Sequence, residues 1–570
     1  MRKRMFSIFS QRLLLPAALV VVFLINWGAS LWHTRIDFTN EKRFTLSEPT
    51  KKLLKKVDQP VSIQIFLKGH LPSGFKRLSI ATDDILRTFK DVAGSKLTYQ
   101  FVSPEDMVEG TNVSYGDTLT SMGLLPINLT SQVKEGQQQQ LLYPVGLITY
   151  NNQLFPIELY KGKTPLINFQ ELNSAEAMLE YSFAHALSKL IQKEKPVIGY
   201  AIGNGEPTGY NTYDLVENVL KPNYSFFTLD LNAQPAVPPL FDVLLLVKPT
   251  ERFTDVEKLK IDQYIMQGGK VLVYIDKLNA EMDSLQIKNE VVAYDRELNL
   301  EDQLFKYGIR INSNLLMDLQ CDYLPFDVNG NGQFELLPWN YFPVLEANPN
   351  NVITKNIGYV SGKFVNSVDT IEAEGISKTI LLYSSSNART IATPALISGA
   401  ENVTAPENEK YKTPHIPVAV LLEGKFSSLF ANRLTTAMQD SLALANQLFL
   451  PACTRDNKMI VVSDGDMVLN TVVKGNQPTP MGMNPFTFGT QREFPFANKD
   501  FLLNALDYLV DQHGLSEAKS KDYVLRLLDN KKVSAYQLEW QVINIMAPVL
   551  LVILFAALFQ WIRKRKYTTH

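Results

Sequence analysis

Two long apolar runs near the ends of the chain dominate its hydrophobic pattern. Residues 13–32 form a 20-residue run without a charged side chain, and residues 542–562 form a second such run of 21 residues. With a rise of about 1.5 Å per residue, a helix of either length spans the roughly 30 Å hydrocarbon core of a bilayer. Soluble cores rarely contain so many successive residues without an ionisable group, so the pattern predicts two transmembrane helices.

The first run has a second interpretation, a cleavable signal peptide, because the small residues Gly28, Ala29 and Ser30 lie near its end. Signal peptides usually carry a shorter apolar region of about 7–15 residues. Trp32 closes the run and is typical of a helix end at a membrane interface. We therefore expect a retained helix, with cleavage as the alternative.

Basic residues flank both runs on the sides that face the chain ends, and neither terminal segment contains Asp or Glu. Cytoplasmic segments of membrane proteins are enriched in Lys and Arg, so both termini are predicted to be cytoplasmic and the intervening region to lie on the other side of the membrane. The flanking residues are Arg2, Lys3, Arg4, Arg12, Arg563, Lys564, Arg565 and Lys566.

The predicted ectodomain is acidic, although the whole chain is almost neutral. The chain has 56 Lys and Arg against 58 Asp and Glu, a net charge of −2. Without the eight flanking basic residues 48 remain, which leaves the ectodomain a net charge of −10. A content of 45% apolar and 20% charged residues excludes a disordered or fibrous protein.

The ectodomain begins with alternating helical and strand periods. Helices are predicted over Glu48–Val57, with Ser47 as the capping residue, and over Phe75–Val92. Strands are predicted over Val61–Phe66 and Lys96–Val102. This order of elements predicts a βαβ unit.

A polar stretch at Gln137–Gln140 predicts an exposed loop after this unit. Two strands, Tyr143–Tyr150 and Leu154–Leu159, are predicted next. A helix over Glu171–Lys193 follows, and Pro196 ends the helical pattern.

From residue 197 onward, strongly apolar strands alternate with amphipathic helices. Such strands are typical of a mostly parallel sheet with helices on both faces. Weaker strand patterns late in the chain suggest that the sheet resumes after a long insertion. The predicted strands are Val197–Ile202, Phe226–Leu231, Asp242–Val247, Lys270–Ile275, Thr379–Ser384, Val418–Leu422 and Met459–Ser463, and the predicted helices are Tyr213–Leu220, Thr254–Met266 and Asp500–Asp511.

The predicted fold class is α/β, with a membrane-anchored ectodomain between two transmembrane helices. The ectodomain contains an N-terminal βαβ-type domain and a parallel-sheet domain. The predicted segments are a cytoplasmic tail (1–12), a transmembrane helix (13–32), the N-terminal domain (33–165), the parallel-sheet domain (166–320), its insertion and continuation (321–520), a connector (521–541), a transmembrane helix (542–562) and a cytoplasmic tail (563–570).

Cys321 and Cys453 are the two cysteines of the chain. A disulfide is possible in an oxidising compartment, but isolated cysteines in a large domain are more often simply buried. The sequence leaves their pairing open.

Three segments approach the phosphate-binding P-loop pattern but fail at decisive positions. Gly69–Gly74 has the glycine spacing, but Phe75 replaces the lysine that contacts the phosphates. Gly162–Thr164 lacks the upstream glycine, and in Gly362–Phe364 the lysine is followed by phenylalanine. We therefore expect neither binding nor hydrolysis of ATP.

Gly203–Gly209 follows a strand and precedes a helix, which is the position of phosphate-binding turns. Its glycine spacing differs from the dinucleotide-binding pattern, and Pro207 removes a donor amide. The segment predicts a tight strand-to-helix connection, with ligand binding as the alternative.

Asp327–Gly332 matches the first half of a calcium-binding loop. The twelfth position is Pro338 instead of glutamate, although Glu335 could act as an irregular ligand. An Asn-Gly hairpin turn accounts for the same residues without a metal ion, so we predict a turn.

The remaining candidates for catalysis form no pattern. The six histidines share no metal-ligand spacing, and neither cysteine lies in a nucleophile elbow. Asp464 and Asp466 follow an apolar strand, where α/β proteins place active groups, but the sequence shows no third partner. We predict an Asp-Gly turn there and assign no catalytic, cofactor-binding or metal-binding residue.

Seven segments, taken in order together with the two apolar runs, resemble the GldG family of gliding-motility proteins, which are auxiliary components of ABC transporters. The resemblance covers essentially the whole chain. Each segment is weak alone, and their order makes the match specific. The segments are Arg35–Ser47, Leu179–Tyr181, Phe241–Pro249, Asp262–Gly269, Pro338–Pro343, Gly424–Ser428 and Ser463–Asp466.

This resemblance implies a non-catalytic two-pass protein of the bacterial inner membrane with a large periplasmic domain. Its implied partners are an ABC permease and a cytoplasmic ATPase, with no cofactor and no nucleic acid, and a homo-oligomer within the complex stays open. The family's parallel sheet is similar to those of flavodoxins and class I glutamine amidotransferases. Amidotransferase chemistry is not implied, because no cysteine lies near Asp242–Pro249 or Lys270–Asp276.

The alternative is an anchored periplasmic glycan-binding protein or envelope enzyme that works without a transporter. A cleft lined by carboxylates would favour it. The sequence leaves open the transported substrate, the stoichiometry of the complex and any ligand of the ectodomain.

Overall fold

The computed structural model divides the chain into two compact units, residues 1–521 and residues 522–570. Within the first predicted membrane run, residues 20–24 and 26 are described and helical, and the rest of residues 13–32 lies outside the described part. The described residues are 20–24, 26, 45–124, 126–133, 136–160, 169–192, 194–282, 290–327, 331–398, 408–473, 477–490, 492–511, 514–520 and 530–567.

The first part of the larger unit contains a four-stranded sheet. Its elements are α1 (Glu48–Lys55), β1 (Val61–Ile65), α2 (Ser73–Ala93), β2 (Leu97–Phe101), α3 (Tyr115–Ser121), β3 (Ile127–Val133), β4 (Gly136–Leu142), β5 (Val145–Tyr150), β6 (Gln153–Glu158) and α4 (Phe169–Ile191). The strand order is β2-β1-β5-β6. β1 and β2 are parallel and α2 connects them, as the sequence periodicities predict.

Helix α2 forms where apolar residues recur every three or four positions. Phe75, Leu78, Leu86 and Phe89 are almost completely buried and belong to the core of this sheet. Such spacing places them on one face of a helix. Helix α1 begins at the predicted cap, because the Ser47 hydroxyl accepts a hydrogen bond from the first turn.

The loop predicted at Gln137–Gln140 is wrong. These residues belong to β4, which pairs with β3 in an antiparallel hairpin. The hairpin is held by backbone hydrogen bonds, which polar side chains do not prevent. The polarity of the stretch therefore misled the prediction.

The rest of the larger unit is organised around a ten-stranded sheet. Its elements are β7 (Val197–Ile202), a π-helix (Asp214–Leu220) continued by a short α-helical turn (Lys221–Asn223), β8 (Ser225–Asp230), β9 (Val243–Val247), α5 (Asp255–Met266), β10 (Lys270–Tyr274), β11 (Leu278–Asn279), β12 (Glu290–Asp295), α6 (Glu301–Tyr307), β13 (Ile309–Ile311), β14 (Asn314–Asp318), β15 (Cys321–Phe326), β16 (Glu335–Ala347), β17 (Val360–Ser361), β18 (Val368–Thr370), β19 (Ile376–Tyr383), β20 (Ala388–Ala392), β21 (Ala395–Ser398), β22 (Pro417–Gly424), α7 (Thr436–Leu444), β23 (Asn457–Val462), β24 (Val472–Val473), β25 (Gln477–Pro478) and α8 (Asn498–Val510).

The strand order of this sheet is β15-β16-β19-β22-β23-β10-β9-β7-β8, and β17 pairs with β16. The strands from β23 to β8 are mutually parallel. The described residues also form five smaller strand groups: β3-β4, β11-β12-β21, β13-β18, β14-β20 and β24-β25.

Helices cover both faces of the parallel strands, as predicted. On one face, Val243, Leu245 and Val247 of β9 pack in a core with the π-helix and α8. On the other face, Leu244 and Leu246 pack in a core with α5 and α6. Every residue of β9 is buried, which explains its continuous apolar sequence.

The sheet is mixed rather than mostly parallel. The strands that resume after the insertion do join it, as predicted, but β22 is antiparallel to β23 and β19 is antiparallel to β22. Apolar sequence favours burial on both faces and contains no information on strand direction, which depends on how the connections run.

The Asp327–Gly332 segment lies at the end of the antiparallel pair β15 and β16. The carboxylate of Asp327 accepts hydrogen bonds from the backbone N–H groups of Asn331 at 3.1 Å and Gly332 at 2.9 Å. The predicted hairpin is therefore present, with Glu335 at the start of β16; residues 328–330 lie outside the described part.

Both cysteines are free thiols, which answers the question of their pairing. Cys453 is buried with its Sγ 3.1 Å from the carbonyl oxygen of Ile265. Burial raises the pKa of Cys321 to about 12, so its thiol stays protonated at neutral pH.

The smaller unit contains helix α9 (Asn530–Tyr567), which includes the second predicted membrane run. Tyr536–Arg565 is long and apolar enough to cross a membrane. Its apolar side chains are exposed, for example Leu551 at 67% and Phe555 at 71%. Such exposure in water would be costly, and it agrees with membrane anchoring at this end.

A buried carboxylate ties helix α5 to two other segments. Asp262 is completely buried, and its Oδ1 accepts hydrogen bonds from the Tyr307 hydroxyl at 2.8 Å and the Leu429 backbone N–H at 3.0 Å. Its Oδ2 accepts one from the Ser428 hydroxyl at 2.6 Å. Loss of this acceptor would leave several buried donors without a partner.

We expect Asp262→Ala to lower the free energy of unfolding by about 3 kcal/mol, because buried donors then lose their acceptor. Urea unfolding of the detergent-solubilised protein, followed by fluorescence, measures the change. Asp440→Ala removes an exposed carboxylate on α7 and is expected to change it by less than about 0.5 kcal/mol. Equal effects of the two substitutions would contradict the stabilising role of the buried Asp262 carboxylate.

Candidate functional site

The carboxyl ends of β7, β9, β10 and β23 meet at one edge of the large sheet. Open α/β sheets bind their ligands outside this edge. The residues that follow these strands are polar: Asn204 and Glu206 after β7, Lys248 after β9, Asp276 after β10, and Asp464 and Asp466 after β23. They form two groups, a charged cluster and a turn.

The charged cluster consists of Lys248, Asp276, Glu281, Asp464 and Asp466. Lys248 is central, with its Nζ 2.7 Å from Asp466 Oδ1, 2.9 Å from Glu281 Oε2 and 3.3 Å from Asp276 Oδ2. Its side chain is only 8% exposed. A buried ammonium group requires such partners, because burial removes its hydration.

Backbone N–H groups hold the carboxylates of the charged cluster in place. Asp464 Oδ1 accepts from the Asp466 N–H at 2.8 Å, and Asp464 Oδ2 accepts from the Lys363 N–H at 2.9 Å. The Gly465 N–H donates to Asp276. A Cβ at Gly465 would lie 2.7 Å from the Lys248 side chain, so glycine permits the close approach.

The carboxylates of the charged cluster have different proton affinities. Burial raises the pKa of Asp464 well above its usual value, and the neighbouring carboxylates Asp276 and Asp466 add to this. Burial also raises the pKa of Asp276, to about 6, against the opposing effect of Lys248. For Asp466, the effect of burial is outweighed by Lys248, and its pKa is lowered. Burial thus favours the protonated form of Asp464, whereas Lys248 favours the ionised form of Asp466.

Three carboxylates of the charged cluster could in principle hold a metal ion. Oxygen atoms of Asp276, Asp464 and Asp466 lie within 4.8 Å of one another. However, Lys248 already places a positive charge among them, with its Nζ 2.7 Å from Asp466 Oδ1 and 3.3 Å from Asp276 Oδ2. The arrangement therefore fits an internal ion-pair network better than a metal site.

The Asp-Gly turn predicted at residues 464–466 is present, because Asp464 accepts a hydrogen bond from the Asp466 N–H. Asp276 and Lys248, the partners of these aspartates, were not predicted from the sequence. A usable signal exists: each of these residues comes one or two positions after a buried parallel strand. Applied to every strand, that rule selects Lys248 and Asp276 as candidates for this edge of the sheet, whereas their pairing depends on the strand order.

The second group is the turn at Gly203–Gly209, whose predicted role as a tight connection is confirmed. It joins β7 to a short 3₁₀ turn and the π-helix. Two N–H groups, of Thr250 and Glu251, donate to the Asn204 carbonyl oxygen at 2.9 Å each. The Tyr200 hydroxyl donates to the Pro207 carbonyl oxygen at 2.7 Å.

A cavity of about 820 Å³ lies between α4 and α8, away from both groups. Its wall includes Asp507, whose Oδ2 is 2.8 Å from His185 Nε2. Asp507 Oδ1 accepts hydrogen bonds from the Tyr224 hydroxyl at 2.7 Å and from Lys189 at 3.0 Å. Burial opposes ionisation of Asp507, but His185 and Lys189 outweigh it and hold its pKa well below the usual range.

We expect Lys248→Met to lower the free energy of unfolding by about 3–5 kcal/mol near neutral pH, because buried carboxylates lose their cation. Without Lys248, the pKa values of the carboxylates in the charged cluster rise in the folded state. The free energy of unfolding of the variant therefore decreases as pH rises through these pKa values. The difference in free energy of unfolding between the parent protein and Lys248→Met should therefore decrease as pH falls from 7.5 toward 5. Denaturant unfolding at several pH values measures it.

Lys221→Met is the matched control, since Lys221 pairs with Glu217 at the surface and such pairs contribute about 0–1 kcal/mol. If Lys248→Met and Lys221→Met lowered the free energy of unfolding equally at every pH, the stabilising role of Lys248 in the charged cluster would be contradicted.

Two family models match the chain. One, an ABC-type uncharacterized transport system, covers residues 195–505 and so includes the large sheet and both groups at its edge. The other, a domain of unknown function named DUF7088, covers residues 40–149 in the N-terminal part.

One relative has low sequence identity to the chain. An uncharacterized protein of Borreliella burgdorferi is 23% identical over 343 residues, which is 60% of this chain and 61% of that protein. This chain therefore spans less than two thirds of the relative's length.

Two solved structures are also similar. The mmIFT52 N-terminal domain matches 55% of this chain and 96% of its own, with 12% identity and a TM-score of 0.30. An exo-β-1,4-mannosidase, Op5Man5 from an Opitutaceae bacterium, matches 75% of this chain and 52% of its own, with 8% identity and a TM-score of 0.17. Both TM-scores are low, so these similarities do not establish a shared fold. Because the first family model covers more than half of the 570 residues, the chain belongs to the family of auxiliary components of ABC-type transport systems.

Proposed function

We propose that this protein is a non-catalytic auxiliary subunit of an ABC transporter complex required for bacterial gliding motility. Its family membership, which rests on residues 195–505, is the observation that carries the transporter role. The motility role is supported by the resemblance of ordered segments, such as Arg35–Ser47 and Phe241–Pro249, to gliding-motility proteins. Its partners would be a membrane permease and a cytoplasmic ATPase.

A non-catalytic role is supported by the state of the charged cluster. Its lysine is fully engaged by carboxylates, and a lysine held in this way stays protonated and cannot act as a nucleophile. Burial lowers the pKa of a lysine, but here Asp466, Asp276 and Glu281 outweigh burial and raise the pKa of Lys248. The cluster therefore stabilises the strand ends instead of offering a reactive group.

The parallel-sheet domain would be of the flavodoxin type. Numbered by chain order, its parallel strands lie in the order 2-1-3-4-5, from β8 through β7, β9 and β10 to β23. This is the order of flavodoxin-like sheets. The remaining strands of the sheet, on the β23 side, would then be additions to that arrangement.

Two membrane helices would hold the ectodomain over the translocation path. The apolar part of α9 supports one anchor, and the run at residues 13–32 supplies the other. Both contain small residues, which allow close approach of helices within a bilayer. These residues are Ala17, Ala18, Gly28, Ala29 and Ser30 in the first run and Ala547, Ala556 and Ala557 in the second.

A second candidate, an ectodomain that binds glycans or acts on the envelope without a transporter, is favoured by one observation. The cavity of about 820 Å³ is lined by aromatic residues, including Phe155 and Tyr359, and by carboxylates, including Glu171 and Asp507. Aromatic rings and carboxylates suit a sugar ligand. Under this candidate the two helices are simple tethers.

Cytoplasmic termini and a periplasmic ectodomain predict a clear labelling pattern. Single cysteines at Ser7, Asn152 and Thr568 would be introduced after Cys321→Ser and Cys453→Ala. We expect a membrane-impermeant thiol reagent to label only the Asn152 site in cells with a permeabilised outer membrane, and all three sites after lysis. Labelling of either terminal site, with Asn152 protected, would reverse the topology.

Replacement of both membrane helices by unrelated apolar spans of equal length is expected to abolish co-purification with the permease and to abolish gliding. The reason is that helix contacts within the bilayer would hold the complex together. A span replacement that preserves the small residues serves as the control and should retain association. Persistence of both association and gliding would favour the second candidate.

A further inference from the structure

The turn after β7 contains two buried oxygen atoms that lack a hydrogen-bond donor. Glu206 Oε1 and Asn204 Oδ1 have no partner among the described residues. Glu206 is 8% exposed and Asn204 is 2% exposed. Buried polar atoms without a partner are rare and costly, and a bound water or ion often accounts for them.

Neighbouring contacts fix the orientation of both side chains. Glu206 Oε2 accepts a hydrogen bond from the Asn204 backbone N–H at 2.8 Å. Asn204 Nδ2 donates to Glu257 Oε2 at 3.2 Å, and the same carboxylate oxygen accepts from the Thr254 N–H at 2.7 Å. A flipped Asn204 amide would turn its oxygen toward that carboxylate, so the unpartnered oxygen stays where it is.

The turn is also rigid. Its backbone receives the Thr250 and Glu251 hydrogen bonds described above, and Asn232 Nδ2 donates to the Gly203 carbonyl oxygen at 2.7 Å. Gly205 has a φ of +78°, and a Cβ there would lie 2.1 Å from Thr250 Oγ1. Rigid backbone at this point holds the two oxygens in place before any ligand arrives.

The local charge is negative. Burial raises the pKa of Glu206 to about 7, and the carboxylates of Glu257 and Glu251 raise it further, while backbone N–H groups oppose them. The negative charge of Glu257 acts on Lys260. The Lys260 Nζ, however, donates a hydrogen bond to the Leu231 carbonyl oxygen at 2.6 Å. The turn therefore contrasts with the charged cluster, where Lys248 supplies the positive charge.

We propose that this turn binds a hard divalent cation, Ca²⁺ or Mg²⁺, through Glu206 Oε1 and Asn204 Oδ1. Carboxylate and amide oxygens are the ligands that these ions prefer, and water completes their coordination. Nitrogen and sulfur ligands, which zinc and copper favour, are missing from the two groups that would bind. The site lies between β7 and β9, where the direction of strand order reverses and α/β sheets bind ligands.

A proton is the competing explanation. Protonation of Glu206 would remove its charge and lower the cost of burying Oε1 without any cation. The two explanations differ in what Glu206→Gln does, because a glutamine amide imitates the protonated acid but is a poor cation ligand.

The full-length protein, solubilised in detergent and freed of metal with EDTA, would be titrated with CaCl₂ or MgCl₂ at pH 7.5. We expect the midpoint of thermal unfolding to rise with the concentration of at least one ion, as binding to the folded state alone requires. Glu206→Gln should abolish that rise. Asp440→Asn, at an exposed carboxylate, should retain it in full.

A second variant keeps the test valid if Glu206→Gln folds poorly. Asn204→Asp adds a carboxylate, so it should lower the midpoint in EDTA and reach half of the ion-dependent rise at a lower ion concentration. An unchanged midpoint of the parent protein with both ions, together with a higher midpoint for Glu206→Gln, would establish the proton and overturn the proposal. An equal ion effect in the parent protein and Glu206→Gln would place any cation elsewhere and also overturn it.

Discussion

Burial of both faces of the central parallel strands is the constraint on which the rest of the structure depends. Every residue of β9 is buried, and β10 and β23 are nearly as enclosed. A charged group at one of the buried positions of these strands would carry a large desolvation cost. Polar chemistry is therefore displaced to the ends of the strands, where Lys248, Asp276 and Asp464 are found. The candidate site follows from the core.

Buried carboxylates at this edge of the sheet have different partners in the charged cluster and in the turn after β7. In the charged cluster, Lys248 lies among three carboxylates, and backbone N–H groups donate hydrogen bonds to a further one, Asp464. At the turn after β7, the carboxylates of Glu206 and Glu257 both accept hydrogen bonds from Asn204, and no lysine in the described part of the chain forms an ion pair with either of them. An internal cation makes the first group structural. The second group lacks one, and this difference separates a stabilising network from a candidate ligand site.

Local patterns predicted every strand of the four-stranded sheet and every parallel strand of the large sheet, but none of the strands β11–β18. Strand Val197–Ile202 is observed with the predicted bounds. The helix predicted over Thr254–Met266 is observed over Asp255–Met266, because Thr254 is its capping residue. These elements follow from periodicity and capping, which neighbouring residues determine. The Gln137–Gln140 stretch failed because backbone pairing, not side-chain polarity, makes it a strand. The prediction of a mostly parallel sheet was wrong for a related reason, because the direction of a strand depends on the long connection that leads to it.

The sequence by itself determined the apolar helix at the C-terminal end, the apolar strands and the helices that cover them, because each depends on residues close together in the chain. Only the tertiary structure decided which strand ends meet. Lys248, Asp276 and Asp466 are separated by up to 218 positions, yet Lys248 lies within 3.3 Å of both aspartates. The two cysteines likewise remain free thiols. Contacts of this kind depend on strand order, which hydrophobic periodicity does not specify, and so the chemistry at the sheet edge becomes visible only in the folded chain.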